Sequence, residues 1–306
     1  MANTNNYADS FQREILDVNV QNLLTSPFLT ENVQWLDAKN FHFTQMSTSG
    51  FRNHDVGGSF KRGKYTQTDV PFTLQHDRNI EFLIDKREID ETNQTASIQN
   101  VATVFEKTQA VPETDARFFE VVAQKAIAAN NYSTVAALTA YTKANVIEKI
   151  KAVISKVKRY RNSLIVYVDT KVMDVLELAL ADKASIRWEN ISGIEHAIET
   201  RVTTIDGVPV MEVYDTDRFG TKFDYKDTED GGFALASDGK QIAILVASTE
   251  TVKTVKKITS IYTFGPGEHT SGDGYLYQER ELWDTFVFPN GKNGVIDSVA
   301  VEYVGE

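Results

Sequence analysis

Apolar and polar residues alternate along residues 34–84. Phe41 and Phe43 are interleaved with His42 and Thr44, and Phe72, Leu74, Ile80, Phe82 and Ile84 continue the theme. A two-residue period of this kind predicts half-buried strands. Between the two runs lie residues 49–64, with Gly50, Gly57, Gly58 and Gly63 and the basic trio Lys61, Arg62 and Lys64. The predicted element is an extended hairpin with a long, basic, glycine-containing tip. Such a hairpin cannot bury an apolar face alone, so it needs a partner surface.

From residue 98 the period lengthens. Ile98, Val101, Val104 and Phe105 recur at three- and four-residue spacing, with Asp90 or Thr92 as candidate cap. Pro112 sits where a first helical turn tolerates it, and Glu113 and Asp115 follow where a helix N-terminus favours acids. Phe119, Val122, Ala126 and Ala129 carry one face onward. The spacing predicts two helical segments with a break near Val111.

A compact unit follows residue 142. Val146, Ile147, Ile150, Val153, Ile154 and Val157 mark an amphipathic helix with Lys149, Lys151, Lys156 and Lys158 on its wet side. Residues 163–169 (SLIVYVD) and 241–248 (QIAILVAS) read as buried strands, and Val172, Leu176 and Leu180 as a helix. Asp206-Gly207 predicts a two-residue hairpin turn. Residues 262–304 read as mostly β, with a reverse turn at 289–294, so residues 295–304 are expected to run back beside the preceding strand. The first 30 or so residues, rich in Asn, Thr, Ser and Gln, read as an arm that packs on something else.

Composition narrows the function. The chain has 306 residues, 42% hydrophobic and 25% charged, which suits a folded protein with a substantial core. It has no cysteine, which excludes disulfides and thiolate chemistry. Net charge is −11, with 18 acidic and 9 basic residues in 206–306. An acidic chain does not grip nucleic acid by counterion release, although it can enclose it. No leader and no apolar run of bilayer length is readable, so the expectation is a soluble protein made in the cytoplasm.

Candidate chemistry is sparse. Residues 58–64 (GSFKRGK) approach a phosphate-cradling loop, but Tyr65 stands where Ser or Thr would ligate magnesium. His42, His54, His76, His196 and His269 are scattered without metal-ligand spacing. Ser271 lacks the elbow of a hydrolase nucleophile. Asp85, Glu88, Asp90 and Glu91 read as helix-entry acids, and Asp224, Asp227, Glu229 and Asp230 as a solvated loop. The expectation is no enzyme, no cofactor and no metal.

Several short motifs occur in a telling order: Trp35-Leu-Asp-Ala-Lys39, Gly50-Phe51-x-Asn53, Asp77-Arg78, Phe82-x-Ile84-Asp85, Ile89-Asp90-Glu91-Thr92 and Val111-Pro112-Glu113-x-Asp115-Ala116. Arg201-Val202, Ile205-Asp206-Gly207-Val208-Pro209, Arg280, Trp283-Asp284-Thr285-Phe286-Val287 and Asn290-Gly291-Lys292 follow. Together they resemble the major capsid proteins of tailed phages of Gram-positive hosts. Residues 184–199 and 219–233 carry no matching motif. The resemblance implies an α+β fold of the Hong Kong 97 type. In that fold 1–34 is an N-terminal arm, 35–83 an extended loop and 84–141 a peripheral domain with a spine helix. Residues 142–248 would be an axial domain, and 249–306 strands returning to the peripheral and axial domains.

The resemblance further implies a structural, virion-located subunit, made in the bacterial cytoplasm, that forms hexamers and pentamers. These close into an icosahedral shell around double-stranded DNA, without sequence-specific binding or a membrane. Its partners are itself, a portal protein and, where one is used, a scaffolding protein. Lys61, Arg62, Lys64, Asp85, Glu88 and Arg280 are the candidate inter-subunit contacts. An encapsulin-like compartment subunit is the alternative.

Overall fold

The computed structural model describes residues 23–30, 34–35, 40–54, 58, 60–86, 98–181, 202–228, 231–290 and 294–305. The first strands are β1 (Leu29–Thr30), β2 (Gln34–Trp35), β3 (Asn40–Thr48), β4 (Tyr65–Thr73) and β5 (His76–Asp85). A long helix follows as α1 (Ile98–Phe105), a π-turn (Glu106–Ala110) and α2 (Val111–Ala128). Next come β6 (Tyr132–Val135), α3 (Val146–Lys156), β7 (Leu164–Asp169), α4 (Thr170–Ala181), β8 (Val202–Ile205) and β9 (Val208–Val213). The last strands are β10 (Phe223–Tyr225), β11 (Phe233–Leu235), β12 (Ile242–Ser248), β13 (Val252–Phe264), β14 (Gly274–Val287) and β15 (Val299–Val304).

Six strands form the central sheet, in the order β6-β15-β12-β7-β9-β8. Strands β7 and β12 are buried along their whole lengths because both faces of the sheet are covered. Val166, Val168, Ile244 and Val246 point to α3 and α4, where Ile150, Val153, Val172 and Leu176 wait. Ile165, Tyr167, Leu245 and Ala247 point the other way, onto Phe118, Phe119, Val122 and Ala126 of α2. The hairpin between β8 and β9 turns on Asp206 (φ 53°) and Gly207 (φ 78°), both left-handed as such a two-residue turn requires.

The C-terminal strand corrects one expectation. Residues 299–304 do not run back beside β14, whose two edges are taken by β13 and β5. Instead β15 enters the central sheet, antiparallel to β12 and parallel to β6. Its Val299 and Val301 join the α2 side of the core and Ala300 the opposite side.

The long helix corrects two more. There is no break near Val111: Phe105, Ala110 and Val111 all keep helical angles, and the Val111 amide donates to the Glu106 carbonyl, five residues back. A wide turn of this kind absorbs the proline that follows, whose ring crowds the preceding turn of an ordinary α-helix. Glu113 and Asp115 therefore do not cap a helix start. Both are buried: Glu113 takes Nε2 of His76 at 3.0 Å and Nε of Arg78 at 2.8 Å, and Asp115 takes the amides of Leu24 and Thr25. The buried face of α1 centres on Ala102, while Val104, expected on that face, is exposed. The candidate caps Asp90 and Thr92 lie outside the described residues, as do the N-terminal arm before residue 23 and residues 184–199.

A second sheet, ordered β1-β13-β14-β5, lies under α1. Strands β3 and β4 pair antiparallel from Asn40–Thr73 to Thr48–Tyr65, forming the expected hairpin. Its base is built into the core, with Phe41 wholly buried against Phe72 and Phe286 at ring distances of 5.7 and 5.0 Å. Leu74, Val255 and Leu282 complete that cluster.

Candidate assembly interface

The anchored base leaves the far half of the hairpin outside the core. Nine residues in each arm reach roughly 30 Å at ordinary strand rise. The ladder closes where the Ser49 amide donates to the Lys64 carbonyl at 2.8 Å and the Lys64 amide to Ser49 Oγ at 2.9 Å. Beyond it, Phe51 is fully exposed and Phe60 is 94% exposed, with Tyr65 and Met46 close behind at 74% and 61%. Each such side chain, once covered, contributes about 1.5–3 kcal/mol, so the tip presents a substantial unrealised contact. Arg52, Lys61, Arg62 and Lys64 are exposed among these rings. Residues 49–64 contain four basic groups against one acid, Asp55, in a chain of net charge −11. The predicted trio thus stands together with an aromatic set that had not been counted among the contacts.

The other predicted contacts lie apart from the tip. Asp85 ends β5, half-buried and opposite Gly274, where any Cβ would collide with the Ile84 carbonyl oxygen. Arg280 on β14 makes a two-bonded pair with Asp77 on β5, at 2.9 and 2.8 Å. Glu88 lies outside the described residues.

Near Arg280 is a patch that pattern reading missed. On the sheet face turned away from α1, Leu83 and Tyr262 are exposed, and Tyr262 stacks on Phe264 at 6.4 Å. Glu81 and Gln278 are joined at 2.6 Å beside them. The signal was present in the alternation of Ser260, Tyr262 and Phe264 along β13. The opposite face, with Ile80, Phe82 and Tyr277, packs on Ile98 and Ala102 of α1.

Elsewhere the chemistry is self-contained. A cleft of about 580 Å³ between the hairpin base and α2 is lined by Phe72, Arg117, Glu120, Lys222, Asp238 and Asp284. Most of its charges satisfy one another: Arg117 with Asp284 and Glu120, each at 3.1 Å, and Lys222 with Asp238 at 2.7 Å. The 58–64 segment leads into strand β4 rather than a helix, which removes the context a phosphate loop requires. His76 is bound to Glu113, and His269 lies 2.8 Å from the Gly274 carbonyl. Among the described residues no group of three or more His, Asp or Glu is placed to hold a metal ion, and no helix is long and apolar enough to cross a membrane.

No family model and no curated protein matches the chain by sequence. Solved structures do match. The capsid of cyanophage P-SCSP1u is 13% identical with a TM-score of 0.57, over 87% of this chain and 84% of that one. The mature capsid of bacteriophage PhiM1 is 13% identical with a TM-score of 0.54, over 87% and 82%. Mycobacterium phage Cain gives 14%, a TM-score of 0.52, and 94% and 91%. The fold is the α+β, Hong Kong 97-type capsid fold expected from the motifs.

Proposed function

We propose that this chain is the major structural subunit of a tailed-phage head, without enzymatic activity. Copies associate through hexamers and pentamers into an icosahedral shell around double-stranded DNA, so the protein resides in the virion. The observation that carries this reading is the hairpin: rigidly anchored at Phe41, and bare at Phe51, Phe60 and Tyr65. A monomer gains nothing from holding aromatic rings far from its own core, whereas a neighbouring copy would cover them.

Charge supports the same use. Lys61, Arg62 and Lys64 at the tip would meet an acidic neighbour, which sets register more than affinity. Asp85, Glu88 and the face bearing Arg280 would supply further inter-subunit contacts. An acidic shell also avoids adhering to the DNA it holds. On this reading residues 1–34 form the arm, 35–83 the extended loop, 84–141 the peripheral domain, 142–248 the axial domain and 249–306 strands shared by the two. A portal protein, and a scaffolding protein where one is needed, would complete the head.

Electron microscopy of the purified full chain, alone and with its genomic neighbours, tests the reading. Capsomer rings or closed shells are expected, and shell diameter separates a phage head from an encapsulin-like compartment. A uniform monomer under both conditions would overturn it.

A further inference from the structure

The long helix and the β13–β14–β5 sheet meet at a knot of carboxyls. Glu106 opens the π-turn, is wholly buried, and among the described residues has no hydrogen-bond donor on either side-chain oxygen. It lies against Glu279 and Glu281 of β14, which are 4% and 5% exposed. Glu279 accepts the Tyr277 hydroxyl at 2.6 Å, and Glu281 is paired with Lys256 of β13. Further along, Glu113 of α2 faces the same knot, held by His76 and Arg78 of β5. The cations packed around the knot are thus engaged with Glu281 and Glu113, and among the described residues none is paired with Glu106.

Three carboxyls beside one lysine cannot all ionise in a dry site. An unpaired buried carboxylate is too costly, and two carboxyls in contact relieve the repulsion by sharing a proton. A protonated Glu106 becomes a donor to Glu279, which supplies the missing bond. The π-turn places this group at an irregular turn of the helix, next to a segment held to the sheet through Ile98, Ala102 and Phe105, whose ring meets Phe82 at 5.5 Å. Irregular turns of this type are sites where helices yield.

We propose that Glu106 and Glu279 share one proton, and that this proton latches residues 98–110 onto β14. When it leaves, repulsion between the carboxylates lifts that segment from the sheet. The proposal concerns a joint within one chain and does not rest on the shell reading.

The direction of the pH dependence follows from the surroundings. Burial first, and Glu279 second, push the Glu106 carboxyl from 4.5 up to about 10. Burial also raises Glu281, and Tyr277 is driven upward by burial and Glu279, so its hydroxyl stays protonated. A group raised in the folded state binds its proton more tightly there than in the unfolded chain. Its contribution is complete below the unfolded value and is lost as pH rises toward the folded one.

The test compares the melting midpoint of the full-length protein, Glu106→Gln and the exposed control Glu148→Gln between about pH 6 and about pH 9. A glutamine amide donates to Glu279 at every pH. Wild type and Glu148→Gln should fall by roughly 5 °C more than Glu106→Gln across that range. Parallel curves for all three would overturn the proposal. Hydrogen exchange of the wild type, corrected for intrinsic rate, needs no variant. Residues 98–110 should lose protection with rising pH faster than α3, and equal loss would overturn it.

Discussion

Asp115 and Arg218 are 103 residues apart in sequence and meet at 3.0 Å in the interior. Asp115 also accepts the Leu24 amide at 3.2 Å, the Thr25 amide at 3.1 Å and the Thr25 hydroxyl at 2.8 Å. Arg218 turns its other nitrogens to Asp215, the nearest at 2.6 Å. One carboxylate therefore ties the first described residues, the long helix and the 215–218 turn into a single joint. Removing it leaves two amides and one Arg218 nitrogen without their acceptor, while Asp215 still holds the rest of the guanidinium. Asp115→Ala is expected to cost about 3–5 kcal/mol in denaturant unfolding of the isolated subunit, because each buried donor left unsatisfied costs about 1–3 kcal/mol. A loss no larger than that of an exposed substitution would contradict this role.

The two ends of the long helix should respond differently. Phe119 is wholly buried between Tyr167 and Phe219, at ring distances of 5.2 and 4.8 Å, whereas Val104 is 60% exposed. Phe119→Ala should cost about 3–5 kcal/mol of stability. Val104→Ala should stay within about 0.5 kcal/mol, as surface changes do. Equal effects in the same unfolding series would contradict this difference in burial.

Gly207 tests the β8–β9 hairpin. Its φ of 78° lies in the left-handed region, and no atom stands within 4 Å of an added Cβ. The cost of Gly207→Ala is therefore conformational alone, about 1–2 kcal/mol. Thermal melting reads it directly, and an unchanged midpoint would mean the turn relaxes without strain.

The hairpin tip should separate folding from association. Phe51 and Phe60 lie outside every buried cluster described. The double substitution Phe51→Ser and Phe60→Ser should leave the subunit's unfolding within about 0.5 kcal/mol of wild type. Reversing Lys61, Arg62 and Lys64 to Glu should slow assembly and change its salt dependence, since rim charges govern encounter and register. Circular dichroism and light scattering, run side by side, distinguish the two effects.

Much of the fold was readable because it depends on local period. The alternation at Phe41 and Phe43 identified the hairpin, and the unbroken apolar runs of β7 and β12 identified strands covered on both faces. What was misread depends on distance. The partner of β15 is chosen by which strand edges remain open, and no residue of 295–304 records that. Pro112 satisfies the local rule for a helix start equally well inside a π-turn, and the Val111–Glu106 bond that decides between them leaves no mark in composition. Glu113 and Asp115 looked like cap acids for the same reason, since Arg78 and Arg218 are remote in sequence. At the tip, the basic trio stood out as contacts, while Phe51 entered only through a short motif and Phe60, lacking any period among glycines, not at all.

Sedimentation velocity of the purified full-length protein, wild type beside the Phe51→Ser and Phe60→Ser variant, bears most directly on whether the hairpin joins subunits into a shell. The wild type should sediment as capsomers or closed particles, and the variant as a folded species at or near subunit size. A wild type that stays monomeric, or a variant that assembles as readily as the wild type, would contradict it.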